Sequence, residues 1–399
     1  MNINQKIPTA LPLLELFSKN IDFENSRPFE GYAILAVQHL LGSSIPLFEM
    51  LCRGGAYPED IHIVGKAYSS HPAVVDRLIH QGYNLAFDEV FSYLSDKPYD
   101  SILEQHILTA CKRMTRKSDD RGNKRNFLII DDGGKALKLI QGLFTRYARF
   151  VGVEQTSRGA RLLSELNLSF PVVNVARSEA KTIHESPMIA EAMIRELFAS
   201  LDRWDANGVF RLKNRRVLLL GYGYIGEQVA KKFRNHGFHV VVYDTDGDKL
   251  AKAAQTQDIS TVSRRTQAYP DVSLIVGCTG TPSIPGKEFK YIKQGSLLAS
   301  MASTDTEFSA SRWRRKNAIV HTSILSSDDQ YLSQYFPLPW RSLYQCFAGD
   351  THFFLANGGF PMDFSGSINP VPAENIQLTS TLLLAAAVQA VSTEQSGLI

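Results

Sequence analysis

The chain has 399 residues, 44% of them hydrophobic and 21% charged, with a formal net charge of +3. That length supports two domains with separate cores, and the composition is ordinary for a soluble globular protein. The near-neutral balance points to neither a nucleic-acid partner nor an anionic membrane surface. Cys52, Cys111, Cys278 and Cys346 lie far apart with no CxxC pair, so no metal site and no disulfide framework is expected. The N-terminus (MNINQKIPTALPLLELF) lacks a basic segment followed by a long apolar core, and no run approaches about 18 apolar residues. A cytoplasmic setting away from the membrane is the expectation.

Residues 1–28 read as a polar lead with an apolar patch, Leu11 to Phe17, in one or two helical turns. The spacing of Ile34, Val37, Leu40 and Leu41 predicts a helix over 30–53, which carries His39. IHIVG (61–65) reads as a strand, HPAVVDRLIHQG as a helix ending at Gly82, and YNLAF as a further strand. This alternation signals a parallel sheet. His71, just before Pro72, reads as a helix cap. KRMTRKSDDRGNKR (112–125) lacks apolar periodicity, and a solvated loop is favoured over an anion-binding one. FLIIDDGG (127–134) is a buried strand ending in two acids and a tight glycine turn. A helix (135–147), the strand FVGVEQ, a helix (157–166) and the strand of PVVNVARSEAK follow. A long helix over about 187–204 leads into the second half.

That half opens with RRVLLLGYGYIGEQVAKKFRNHGFHVVVYDTD (215–246). An apolar strand precedes Gly221, Gly223 and Gly226, which are spaced G-x-G-x-x-G at the start of a helical pattern. A second apolar run ends at Asp244, 18 residues after Gly226. This is the dinucleotide-binding fingerprint in its strand–turn–helix–strand setting. Gly221 allows the tight turn, Gly223 the approach of a pyrophosphate to free N–H groups, and Gly226 close helix packing. Asp244 would accept bonds from the adenosine ribose hydroxyls and repel a 2′-phosphate, so the expected cofactor is NAD. Beyond it come the strands ISTV, LIVGC, SLLASM and AIVHTS, about six in the domain, and a Leu/Ala-rich helix from Pro372 to about Val391 that must be largely buried. Polar clusters end several strands: Asp131-Asp132, Glu154-Gln155, Lys181 with His184 and Glu185, Thr279-Gly280, and Ser303 with Asp305.

In order along residues 30–390, FLIIDDGG, GVEQTSRG, PVVNVARSEAK, LLLGYGYIGEQVA and IVGCTGTP resemble motifs of the S-adenosyl-L-homocysteine hydrolase family. QGSLLASMASTDTEFS and LANGGFPMDFSG resemble its later motifs, and GYAILAVQHLLGSSIPLFEML and GKAYSSHPA its N-terminal ones. The resemblance implies a substrate domain, a Rossmann domain with tightly held NAD, and oxidation of a ribose 3′-hydroxyl followed by elimination, addition of water and re-reduction. It places the family's histidine on His39, its catalytic aspartate on Asp132, and its lysine and partner aspartate on Lys181 and Glu185. It places the nicotinamide-contacting threonines on Thr156 and Ser157. With Gly221, Gly223, Tyr224, Ile225, Gly226 and Asp244, the expected cofactor set then includes Thr279, Gly280 and Asp363.

The chain departs from the family at other positions. Gln155 stands for a glutamate, Arg158 for a third threonine, Leu41 and Ser43 for the Thr and Glu near the histidine, and Ser303 and Asn369-Pro370 for two later histidines. A C-terminal tail that reaches a neighbouring subunit has no counterpart. The oxidation residues are kept and the groups for the later steps are changed, which argues against hydrolysis of S-adenosylhomocysteine itself. The expectation is an α/β protein of two doubly wound domains. These are a discontinuous substrate domain (1–186, completed by 364–399) and a Rossmann NAD-binding domain (187–363). It would oxidise a secondary hydroxyl of a nucleoside- or sugar-like substrate, with elimination or epimerisation and re-reduction to follow, the alternatives being a plain NAD dehydrogenase and a non-catalytic NAD-binding regulator. It would assemble as a homodimer or homotetramer, the dimer favoured because the apolar C-terminal helix needs cover.

Overall fold

Apolar runs punctuated by turn residues build two sheets, each belonging to its own unit of the chain. The computed structural model describes residues 6–86, 97–119, 126–143, 149–314, 319–321 and 341–399. One unit comprises residues 1–89, 102–185 and 367–399, the other residues 90–101 and 186–366.

The first unit holds β1 (Tyr32–Leu40), β2 (Ile61–Ser70), β3 (Asn84–Ala86), β4 (Asn126–Asp131), β5 (Phe150–Glu154) and β6 (Pro171–Asn174). The C-terminal Gly397–Leu398 adds an edge strand. The order is C-terminal strand-β6-β5-β4-β1-β2-β3, and every pairing is parallel. Residues 32–40, expected as helix, form β1 instead. This strand is central and buried on both faces, so its sequence is a near-continuous apolar run in which helical spacings also occur. The helix begins only at Ile45 and ends at Arg53. The charged stretch expected as a loop is helical up to Asp119, as the end of Tyr99–Asp119; its remainder lies outside the described residues.

The second unit holds β7 (Arg216–Leu220), β8 (His239–Tyr243), β9 (Ile259–Thr261), β10 (Leu274–Gly277), β11 (Leu297–Ser300), β12 (Ile319–His321), β13 (Leu343–Ala348) and β14 (Thr351–Ala356). Their order is β12-β13-β14-β11-β10-β7-β8-β9. Eight strands therefore replace the six expected. The extra pair is the antiparallel hairpin β13–β14, closed by Gly349-Asp350 with Gly349 at φ +65°. In both sheets the chain reverses direction of growth beside the first strand, between β1 and β4 and between β7 and β10. In open α/β sheets ligands bind outside the carboxyl ends of the strands beside such a reversal.

The helix Ala373–Ser392 presses Leu383, Leu384, Ala386, Ala387 and Ala390 into the core of the first unit, with Ile34, Leu128, Val151 and Val173. The helix is less buried than the expectation of a largely buried one. Leu382 and Val388 are only partly buried, so apolar side chains lie on its less buried side as well. Length and composition alone would let this helix cross a membrane, yet one face forms part of a folded core. Leu384→Ala should destabilise the first unit by about 2–5 kcal/mol, read from the shift of its urea unfolding transition.

Candidate functional site

The carboxyl ends of β1, β2, β4 and β5 bring His39, Lys66, Asp132 and Gln155 together in the first unit. The two acids after β4 point different ways. Asp131 turns inward, where Oδ2 accepts from Leu137 N at 3.0 Å and caps the helix Lys135–Leu143. Asp132 turns toward Lys66, Gln155 and His39. Its Oδ1 accepts from Lys66 Nζ and its Oδ2 from Gln155 Nε2, and His39 Nε2 lies 3.2 Å from Oδ2. The other ring nitrogen of His39, Nδ1, lies 2.5 Å from Ser69 Oγ. Lys181 and Glu185 lie on one π-helical turn, Lys181–Glu185, a feature frequent at functional sites. Lys181 Nζ donates to the carbonyl of Gln155 at 2.5 Å and lies 3.7 Å from Glu185 Oε1, while Thr379 Oγ1 donates to Glu185 Oε2 at 2.5 Å. All four residues expected to be catalytic are thus joined through Gln155 and Asp132.

Lys66 is the member that sequence reasoning missed. It follows the apolar run IHIVG and reads as the polar end of a strand. A wide bulge decides its direction: two steps along β1, Gln38 to Leu40, match five along β2, Gly65 to Ser70. The Lys66 carbonyl accepts from Ser69 Oγ at 3.2 Å and Ser70 Oγ at 2.9 Å, which ties the bulge, and the ammonium is buried with only 2% of the side chain exposed.

Burial pushes the Asp132 carboxyl up, but Lys66 and His39 outweigh it and hold the group well below the usual carboxylate range. A carboxylate paired in this way and resistant to protonation is suited to hold its neighbours in place. Burial, followed by the Lys66 charge, lowers His39 from its ordinary 6.5. Behind them, burial raises Asp131 to about 6 and pushes Glu154 well above its ordinary value. Glu154 Oε1 accepts from Thr156 N and Oγ1, both at 2.6 Å, and from Gly133 N at 3.3 Å. Thr156 caps the helix Ser157–Ser164 by accepting from Gly159 N at 2.9 Å, so its polar atoms serve the first unit's own scaffold, and Ser157 is exposed. His184 is exposed, and His71 caps its helix by accepting from Ala73 N at 3.2 Å. Asp305 is paired with Arg314 at 2.5 Å, both buried.

The second unit carries the fingerprint. Gly221 has φ +95°, and a Cβ at Gly226 would lie 2.2 Å from Gly221 O, so a side chain there would force helix and turn apart. The Cβ position of Gly223 is open, and the helix Tyr224–Asn235 has no side-chain cap at its start, leaving its first N–H groups to an anion. Tyr224 is exposed and Ile225 half-buried beside it. Asp244 accepts from Tyr222 N at 2.6 Å and Asp246 N at 3.0 Å, one bond per oxygen, which leaves lone pairs for ribose hydroxyls. The N–H groups of Thr279 and Gly280 are taken by buried Glu307, at 3.1 and 2.8 Å, so they face inward. Burial raises Glu307 to about 7. Gly280, at φ +69°, keeps an open outer face. Asp363, after β14, has Oδ1 buried without a hydrogen-bond partner among the described residues, as has Ser365 Oγ. Burial, with Glu196 nearby, raises Asp363 to about 7. An unsatisfied buried acceptor suits an amide donor, and together with the open Gly223 cradle and the available Asp244 oxygens it fits NAD.

Residues 189–277 match the family model of the D-isomer specific 2-hydroxyacid dehydrogenase NAD-binding domain. Over 386 residues the chain is 29% identical to an uncharacterized protein of Mycobacterium tuberculosis, covering 95% of this chain and 67% of that one. It is 24% identical over 294 residues to an S-inosyl-L-homocysteine hydrolase of Methanopyrus kandleri, and 26% identical over 297 residues to an adenosylhomocysteinase of Gloeothece citriformis. Each of these two matches covers 71% of this chain and 62% of the relative, so the chain spans less than two thirds of their length. The second unit is an NAD-binding domain, NAD is its cofactor, and the chain is distantly similar to NAD-dependent enzymes.

Gly226→Ala should weaken NAD binding by about tenfold or more, read by calorimetry and by loss of the thermal shift that NAD confers. For Asp363 the sign is also determined. The native carboxyl keeps its proton up to about pH 7, the unfolded one loses it near the ordinary 3.8, so native stability falls as pH rises between those values. Asp363→Asn does not titrate, and its stability relative to the parent should rise over that window by at most about 4 kcal/mol, measured by denaturation at each pH.

Proposed function

We propose that the chain is an NAD-dependent enzyme that oxidises a secondary hydroxyl of a nucleoside- or sugar-like substrate. The observation that carries this is the linked set Lys181, Glu185, Gln155, Asp132 and His39 at the carboxyl ends of one sheet, in a chain whose other sheet binds NAD. Oxidation of a secondary alcohol removes a hydride from carbon and a proton from oxygen. NAD, when bound, accepts the hydride. Proton transfer falls to the π-helical turn. The Glu185 carboxylate receives the hydroxyl proton, steadied by Thr379. Lys181 Nζ, anchored on the Gln155 carbonyl, donates to the substrate oxygen as negative charge grows there. Asp132 holds Gln155 and His39 in place rather than titrating.

The named relatives act on S-inosyl- and S-adenosylhomocysteine, which supports a nucleoside ribose as the oxidised group. The ketone formed would acidify its neighbouring C–H, so elimination or epimerisation and re-reduction can follow. The match to a hydroxyacid dehydrogenase NAD-binding domain favours a second reading, a dehydrogenase that releases NADH.

Purified protein should reduce NAD when incubated with adenosine, inosine or related sugars. NADH that stops at one per chain supports internal oxidation and reduction, and continued accumulation supports the dehydrogenase. Lys181→Ala should slow the reduction by about 10²–10⁴-fold. Absence of NADH with every nucleoside and sugar would overturn both readings.

A further inference from the structure

Lys66 is a strong anomaly in the first unit. A buried ammonium is costly unless paired, and here the pairing partner is Asp132, which also holds His39. Lys66 pairs with Oδ1 and favours the ionised carboxylate, which carries no hydrogen, so the hydrogen between Asp132 and His39 belongs to Nε2. That leaves Nδ1 to face the Ser69 hydroxyl at 2.5 Å. Ser69 Oγ has a second partner, the Lys66 carbonyl at 3.2 Å. Two arrangements follow from one rotation of the hydroxyl hydrogen. With His39 neutral, Ser69 donates to Nδ1. With His39 protonated, Nδ1–H donates to Ser69, whose hydrogen turns to the Lys66 carbonyl. No heavy atom has to move.

The charges that face His39 come from three elements: Lys66 on β2, Asp132 after β4, and Lys181 on the π-helical turn, with Glu185 beside Lys181. Among the described residues two cations oppose one close anion, and the edge of Tyr68, 5.8 Å away between ring centroids, adds no charge. Asp131 and Glu154 stand farther back, behind Asp132. His39 therefore sits beside an ion pair that is already neutralised, whereas a bare carboxylate would draw a proton onto the ring.

We propose that Lys66 is a positioning residue, a fixed countercharge that keeps Asp132 a carboxylate and His39 a neutral Nε2–H imidazole whose Nδ1 accepts from Ser69. The site thereby holds a vacant proton place, linked to Ser69 and the Lys66 carbonyl, within the same cluster as Lys181 and Glu185. Its use in turnover rests on the hydroxyl-oxidation reading above; the protonation state of His39 does not.

The test follows ¹⁵N-labelled histidine by NMR in the full chain as pH is varied. The His39 signal is identified among the ten histidines by its loss in His39→Gln. The expected result is the Nε2–H tautomer at neutral pH. In Lys66→Met the titration midpoint of His39 should rise by about one unit or more, and in Lys66→Arg it should stay near that of the parent. An Nδ1–H tautomer, a protonated ring at neutral pH in the parent, or an unmoved midpoint in folded Lys66→Met would overturn the proposal. If Lys66→Met does not fold, the parent tautomer and the Lys66→Arg midpoint still decide it. A protein that reduces no NAD with any nucleoside but shows the expected His39 behaviour would sink the proposed reaction and leave this inference standing.

Discussion

The carboxylate of Asp132 is the point to which the first unit's polar residues are tied. Three donors from three elements end on it: Lys66 from β2, His39 from β1 and Gln155 after β5. Around a buried charge of this kind, satisfaction is close to obligatory, because an unpaired carboxylate in a low-dielectric interior costs far more than any single contact returns. That demand explains the bulge in β2, which a regular ladder would not need, and the tie of Ser69 and Ser70 to the Lys66 carbonyl. It also sorts two adjacent acids into different tasks. Asp131 caps a helix and carries a raised pKa, while Asp132 is anchored and ionised.

A second constraint is the parallel doubly wound plan, used twice. Each unit reverses strand order beside its first strand, and each places its polar residues at the carboxyl ends next to that reversal. In the second unit the closeness of Gly226 to Gly221 and the openness at Gly223 give the helix start to a pyrophosphate. The donors after β10 are instead committed to Glu307, whose packing also fills the space a side chain at Gly277 would occupy. Glycines at strand ends thus have two different meanings here: some leave room for a ligand, and one leaves room for a buried acid.

Much of this was legible in the chain itself. The fingerprint, the Asp-Asp-Gly-Gly turn and the i, i+4 pair of Lys181 and Glu185 all depend on neighbours in sequence, and local spacing encodes them. β1 was misread as helix because a strand buried on both faces has no alternation to show. The β13–β14 hairpin was passed over, although Gly349-Asp350 between apolar runs is a turn signal. Lys66 gave no signal of its own, since a lysine ending a strand is commonly solvated, and only the bulge reveals that it turns inward.

What the sequence by itself determined is the pair of α/β domains and the NAD fingerprint, because these follow from periodicity and from glycine geometry within short windows, while most residues at the candidate site were pointed to by the family resemblance of the motifs that carry them. What only the tertiary structure decided is how those residues are used. Asp132 is an anchor, the N–H groups of Thr279 and Gly280 turn inward to Glu307, and His39 is held between Ser69 and Asp132. Those roles depend on which donors from distant strands converge on a given oxygen and on how far water is excluded there, and neither quantity is written in local spacing.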